Sequence, residues 1–196
     1  MSLLPVAIRA ESVRVLVVGG GKVATRKAAA FARAGATVRV VAPRVITALR
    51  DMASEGRLSI AEREFDAADI GDAQLVVAAT DVREVNDAVA RAGRAANRLV
   101  NRADDAPEGD FYSMAVHQAG DVTVGVTAGG APAAATLIRD RIAHLVDDRY
   151  ARAVRQLREL REKSPSWERA SRDLLDAEFC DQVERGEFDA RIAAWR

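Results

Sequence analysis

A single cysteine, Cys180, in 196 residues leaves no material for an intramolecular disulfide or a cysteine-based metal cluster, a usage that fits a reducing compartment. Histidine is almost as scarce. His117 and His144 stand too far apart in sequence to form a local metal motif, and no metal site is expected. No apolar run approaches the roughly 20 residues of a membrane span, so no membrane partner is expected. The charges cancel, 29 basic against 29 acidic residues, which removes any global field favouring nucleic acid or an anionic membrane. The opening Met1-Ser2-Leu3-Leu4-Pro5 lacks the basic region and long apolar stretch of a secretory signal, and a cytoplasmic location is expected. The remainder, 49% hydrophobic and 30% charged, suffices for one good core and an appendage.

Against these absences stands one informative run, Leu16-Val17-Val18-Gly19-Gly20-Gly21-Lys22-Val23-Ala24. Its apolar start reads as a buried parallel strand; the chain then breaks on three glycines and resumes with helical spacing through Ala30, Phe31 and Ala34. Gly19-x-Gly21-x-x-Ala24 is the Gly/Ala form of the dinucleotide fingerprint. In that pattern Gly19 allows the tight turn, Gly21 lets the backbone approach a pyrophosphate, and Ala24 keeps the helix close to the strand. The N–H groups and positive dipole at the helix start, around Lys22 and Val23, face the phosphates. The alternative is that the glycines join strand to helix for steric reasons only. The usual fourth element is missing. A second strand, Thr37–Val41, ends in Ala42-Pro43-Arg44, with no acidic residue for a ribose 2′-hydroxyl. Arg44 either faces a 2′-phosphate, which would favour NADP, or is a solvated residue opening the next helix.

Apolar strands alternate with amphipathic helices over the first half of the chain. A helix is expected from about Val45 to Glu55, a short strand at Leu58-Ser59-Ile60 and a polar loop from Asp66 to Asp72. A buried strand at Leu75–Ala79 ends in Thr80-Asp81, followed by a helix over 84–95 and a fifth strand at Leu99-Val100-Asn101. This is the pattern of an α/β domain with a Rossmann-like parallel sheet covered on both faces. Ligands in such sheets bind outside the carboxyl ends of the strands, which places Gly19 to Gly21, Ala42 to Arg44, Thr80-Asp81 and Asn101 to Asp105 along one crevice. The composition then changes. Asp121–Val126 alternates as a half-exposed strand, and Thr127-Ala128-Gly129-Gly130 leads into a helix over 131–146. From Asp147 onward the chain reads as a helical tail with sparse apolar positions, of the kind that usually makes a surface or subunit contact, with core packing expected for Trp167 and Trp195. The expected division is a cofactor domain over 1–112, a small α+β dimerisation segment over 113–146 and a helical domain over 147–196. The middle segment is too thin to bury a core alone, which implies a homodimer.

At this point the residues resemble a family. From Leu4-Pro5 through the helix after Gly130, the chain resembles the precorrin-2 dehydrogenases, many of which are also sirohydrochlorin ferrochelatases, as found in the N-terminal module of siroheme synthase. The resemblance is carried by the Val-Val-Gly-Gly-Gly-Lys-Val-Ala run with Arg26-Lys27 and by Val41-Ala42-Pro43. Ala78-Ala79-Thr80-Asp81 with Asn86, Asn101-x-x-Asp104, Phe111 and Thr127-x-Gly129-Gly130 complete it. Without a following methyltransferase domain, the chain looks like the stand-alone form. The resemblance implies NAD in the crevice, a homodimer, oxidation of precorrin-2 to sirohydrochlorin and, in some members, insertion of ferrous iron. The family's functional aspartate falls on Asp104. A carboxylate after a strand end in the crevice suits a general base, whereas Asp105 reads as a turn cap. Asn101, Thr127, Gly129 and Gly130 fall on the expected tetrapyrrole wall. His117 lies nearby, with a part in metal or proton transfer as the functional reading and a structural role as the plain one. Three departures lie on the same wall: Phe111-Tyr112-Ser113-Met114 lacks the family's proline, Ala128 replaces a Ser or Thr, and Ala131-Pro132-Ala133 replaces a Lys/Thr-Ser-Pro. Two other classes fit the glycines alone: a non-catalytic NAD-binding regulatory module and an NADPH-linked reductase of another small substrate, the latter supported only by Arg44.

Overall fold

Strand β1 (Arg14–Val18) is the centre of a five-stranded sheet because its Val-Leu-Val-Val run is apolar on both faces. It pairs in parallel with β2 (Thr37–Val41) on one side and β4 (Leu75–Ala78) on the other. The outer strands are β3 (Ser59–Ala61) beside β2 and β5 (Leu99–Arg102) beside β4, in the order β3-β2-β1-β4-β5, all parallel. Successive side chains point to opposite faces, so the apolar runs feed two cores. Val15, Val17, Val38, Val40 and Val77 meet Ala24 and Ala28 of α1 (Lys22–Arg33) with Leu49 and Met52 of α2 (Thr47–Ser54). Leu16, Val18, Val76 and Val100 meet Val89 and Ala90 of α3 (Arg83–Ala95). The strand order reverses between β1 and β4, and a crevice opens there beyond the carboxyl ends of the strands. The computed structural model describes residues 3–195 and divides into two units, Met1–Tyr112 and Ser113–Arg196.

The α/β fold class is as expected, with element ends shifted by one to three residues. Residues 66–72 are not the expected polar loop. They contain a 3-10 turn, Ala67–Ile70, closed by a capping box between Asp66 and Asp69. Asp69, only 3% exposed, accepts hydrogen bonds from Arg63 at 2.5 and 2.7 Å and from Arg39 of β2 at 3.2 Å. The Arg63 guanidinium holds the Asp69 carboxyl down at about 2. At the other edge the chain returns along β5: the Asp110 amide donates to the Val100 carbonyl at 2.7 Å, and the Val100 amide donates to the Asp110 carboxylate at 3.0 Å.

In the second unit β6 (Ala115–Ala119) and β7 (Val122–Val126) form an antiparallel hairpin, of which β7 was the strand legible in sequence. Helix α4 (Pro132–Ala143) is shorter than the expected 131–146. Pro132 occupies the first turn, where its missing N–H costs nothing, and Asp147 is taken up as the cap of the following helix. The tail is more than a surface element. Four helices, α5 (Asp148–Lys163), α6 (Trp167–Leu174), α7 (Phe179–Glu184) and α8 (Glu187–Ala193), enclose a core of Ala153, Leu157, Leu160, Ala170, Leu174, Phe179, Val183, Phe188 and Ile192. Tyr150 meets Phe179 edge to face at 4.5 Å, and Trp167 and Trp195 pack partly buried against this core, as expected. Among the described residues, no helix is long and apolar enough to cross a membrane.

Candidate functional site: a dinucleotide cleft

A cleft of about 1180 Å³ lies at the strand-order reversal, within the first unit. Its floor is Val18 and the glycine turn, and its walls are Ala42 to Ile46 after β2 and Ala79 to Val82 after β4. The three glycines do three different things. Gly19 has φ +130°, and a Cβ there would lie 2.3 Å from the Ala79 carbonyl oxygen, so β1 can turn beside β4 only without a side chain. A Cβ on Gly20 would lie 1.9 Å from the Arg44 carbonyl oxygen; this glycine lets the turn pack against the β2–α2 connection. Two backbone hydrogen bonds stitch the turn in place, Gly19 N–H to the Val41 carbonyl (2.9 Å) and Ile46 N–H to the Gly20 carbonyl (3.0 Å). At Gly21 a Cβ would meet nothing within 4 Å. The protein itself does not need glycine there, whereas a ligand packed on the backbone does.

Gly21 is also the N-cap of α1, a helix with no side-chain cap and no acidic residue in its first turn. The first N–H groups of a helix lack intrahelical partners, and here they open onto the cleft beside Lys22 and Val23. Open space at Gly21, uncapped N–H groups and apolar flanks at Phe65, Val82, Val85 and Ala88 fit a pyrophosphate carrying nucleosides on either side. Gly19 to Val23, Pro43, Arg44, Thr80, Asp81 and Asp104 all line this cleft. Ala24 does not reach it; the residue is fully buried on the sheet-facing side of α1, where its small side chain sets the helix-to-strand distance.

The Asp104 carboxylate is held by Arg102 through both oxygens, Nε to Oδ1 at 3.2 Å and Nη2 to Oδ2 at 2.8 Å. Arg102 ends β5, is 4% exposed, and gives its remaining nitrogen to Asp87 of α3. Asp104 is 27% exposed. Its carboxyl lies at about 2, first because of the Arg102 hydrogen bonds, against an opposing effect of burial, and with a further lowering by Asn86. Asn86, fully buried, is in turn locked to the cleft wall: its Oδ1 accepts from the Thr80 amide (3.1 Å) and hydroxyl (2.8 Å), and its Nδ2 donates to the Thr80 carbonyl (3.1 Å). Asp105 pairs with Arg83 at 3.3 Å, outside the cleft lining.

The remaining sequence candidates lie elsewhere. Asn101 is buried and off the cleft; its Nδ2 donates to the Phe111 carbonyl at 2.7 Å and its Oδ1 has no hydrogen-bond partner among the described residues. His117, Thr127, Gly129 and Gly130 belong to the second unit. His117 Nε2 lies 2.6 Å from the Val146 carbonyl, which only accepts, so that nitrogen carries the proton. Gly129 and Gly130 both have positive φ, +51° and +90°. Sequence reasoning missed Glu64, Phe65 and the Arg102–Asp87 pair. Phe65 and Glu64 follow a three-residue strand too short to advertise its exit as part of a crevice. Val82, Val85 and Ala88 recur at helical spacing, and that signal reads as ordinary core.

The family described as "Putative NAD(P)-binding" matches residues 6–115 of this chain. Siroheme synthase of Chromobacterium violaceum is 35% identical over 196 residues, which is all of this chain and 38% of that protein. Siroheme synthase of Nitrosococcus oceani is 37% identical over 153 residues, covering 78% of this chain and 33% of the relative. The chain thus spans about a third of the length of these relatives. Among solved structures, "SirC, precorrin-2 dehydrogenase" superposes with a TM-score of 0.80 at 25% identity, over 98% of this chain and 100% of that one. The chain belongs to this NAD(P)-binding family, and it is similar to the siroheme synthases and to SirC.

Proposed function

We propose that the chain oxidises precorrin-2 to sirohydrochlorin with NAD as the acceptor. The observation that carries this reading is the sharing of one cleft by the open space at Gly21 and a clamped carboxylate at Asp104. NAD, when bound, would supply the hydride acceptor. The first-turn N–H groups of α1 hold the pyrophosphate, and the walls at Pro43-Arg44 and Thr80-Asp81 flank the nucleosides. Loss of a hydride leaves the substrate cationic, so the proton that must follow is acidic. Asp104, ionised at neutral pH, stabilises that cation and accepts the proton despite being a weak base. Hydride plus proton account for the two hydrogens that an oxidation of this kind removes.

The same reading includes a homodimer formed by the second unit. Val116, Leu137, Ile138 and Leu145 are exposed on and beside the β6–β7 hairpin and α4, an apolar surface that a second copy would cover. His117, Thr127, Gly129 and Gly130 are assigned to the tetrapyrrole wall on the resemblance, and a cytoplasmic location is inferred from the single cysteine. Insertion of ferrous iron into the product also rests on the resemblance, with Asp104 as the acceptor of pyrrole protons. The deciding experiment incubates the purified protein with precorrin-2 and NAD, following NADH and product absorbance, and then adds Fe²⁺. NADH formation that requires precorrin-2 supports the oxidation. Cofactor binding without turnover would favour a regulatory module instead.

A further inference from the structure

Burying a guanidinium at the end of an outer strand is costly unless it is fully paired, and β5 does so at Arg102. The chain spends two carboxylates on it, Asp87 from α3 and Asp104 from the turn after β5, and of the two only Asp104 lines the dinucleotide cleft. The contact with Asp104 is the two-pronged, planar arrangement that a guanidinium makes and an ammonium does not. Asn86, which also favours the ionised form of this carboxylate, is fixed to Thr80 on the cofactor wall. An anchor for the backbone would not need the carboxylate fixed in orientation relative to the cofactor wall.

We propose that Arg102 is a positioning residue, whose fork sets the orientation of the Asp104 carboxylate at the cleft and balances its charge there. This rests on the reading of Asp104 as the group that acts on the substrate. The charged groups around Asp104 are few. Arg102 favours its ionised form, Asp87 is paired with the same guanidinium, and Arg83 is engaged by Asp105. Arg102 is therefore what holds the Asp104 carboxyl at about 2. Without it the Asp87 charge is left facing Asp104, and the carboxyl should rise to the ordinary range of about 4 or above.

The test uses Arg102→Met, Arg102→Lys and Arg102→Met/Asp87→Asn, the last removing the charge that the first leaves without its partner. Asp104 is titrated by carboxyl NMR in the NAD-free protein, and kcat, KM for precorrin-2 and Kd for NAD are measured from pH 4 to 8. In Arg102→Met the Asp104 pKa should rise by one unit or more and kcat should fall about tenfold or more, steepening toward pH 4. Kd for NAD should stay within about threefold. Arg102→Lys should keep most of the low pKa yet lose kcat, because it restores charge and not the fork. An Asp104 pKa and a kcat unmoved in Arg102→Met and in the double variant, with only the melting temperature lowered, would reduce Arg102 to a structural ion pair and overturn the proposal. If the unmodified protein oxidises no precorrin-2, the activity reading fails, and an unmoved Asp104 titration would still refute the clamp independently.

Discussion

Replacing Gly21 by alanine separates what the fold requires from what the ligand requires. The φ of Gly21 is −89° with ψ −172°, a conformation alanine adopts without strain, and its Cβ would meet nothing within 4 Å. Alanine is a poorer N-cap than glycine, at a cost of up to about 1 kcal/mol, while the stiffer unfolded chain returns about 0.4–1 kcal/mol. Stability should therefore change by less than about 1 kcal/mol. Binding should not survive. The added methyl occupies the space through which a pyrophosphate reaches the first-turn N–H groups, and two charge-assisted hydrogen bonds lost at about 1.5–3 kcal/mol each amount to roughly 3–6 kcal/mol. That corresponds to about 10²- to 10⁴-fold in Kd for NAD. Gly20→Ala supplies the contrast: its Cβ would fall 1.9 Å from a backbone oxygen, and such overpacking costs about 1–3 kcal/mol, visible as a lower melting temperature. Calorimetry with NAD titrations on both variants checks the pair. A Gly21→Ala protein that binds NAD as tightly as the parent, or that melts as early as Gly20→Ala, would refute the assignment of this gap to the pyrophosphate.

Asp104→Asn keeps the shape and removes the charge, so precorrin-2 oxidation should fall by about 10²–10⁴-fold with NAD affinity nearly unchanged; an active Asn variant in a steady-state assay would leave Asp104 a turn residue. Asp69, at about 2 in the folded protein against about 3.9 when unfolded, contributes about 2–3 kcal/mol that is present above pH 4 and lost as pH falls through 2. Asp69→Asn should accordingly be less stable than the parent at pH 7, with the gap closing toward pH 2 in chemical denaturation series. NAD should bind more tightly than NADP, because Arg44 shares the cleft lining with Glu64, whose charge opposes a 2′-phosphate; titration with both dinucleotides decides it. Light scattering should report a dimer at micromolar concentration, and Leu137→Glu, at an apolar side chain 66% exposed, should shift it to monomer.

Much of the first unit was legible because buried parallel strands announce themselves as short apolar runs. Val15–Val18, Thr37–Val41 and Leu75–Ala78 needed no partner to be recognised. The cleft was legible for a related reason: the rule that ligands gather at strand carboxyl ends depends on strand order in the chain and not on side-chain detail. What stayed hidden was pairing. Asp69 reads as one more acidic residue in a polar stretch until Arg39, thirty positions earlier, is brought beside it. Arg102 has the same character, since nothing in Leu99-Val100-Asn101-Arg102 indicates that its fourth residue points at two carboxylates. The tail was underestimated because Ala153 and Ala170 fill its core where larger apolar residues would have been counted. Gly20 was read only as a cofactor residue beside its two neighbours, although the packing of its turn also depends on it.

The return of the chain at Asp110 also bears on how the protein behaves in company. An outer strand of a sheet offers a row of unsatisfied backbone groups, which other chains can extend into aggregates. On β5 the outward amide and carbonyl of Val100 are both engaged by one residue, the amide by the Asp110 side chain and the carbonyl by the Asp110 backbone. That single residue acts as a gatekeeper against strand addition at this edge. Its loss would be felt first as reduced solubility during expression and refolding.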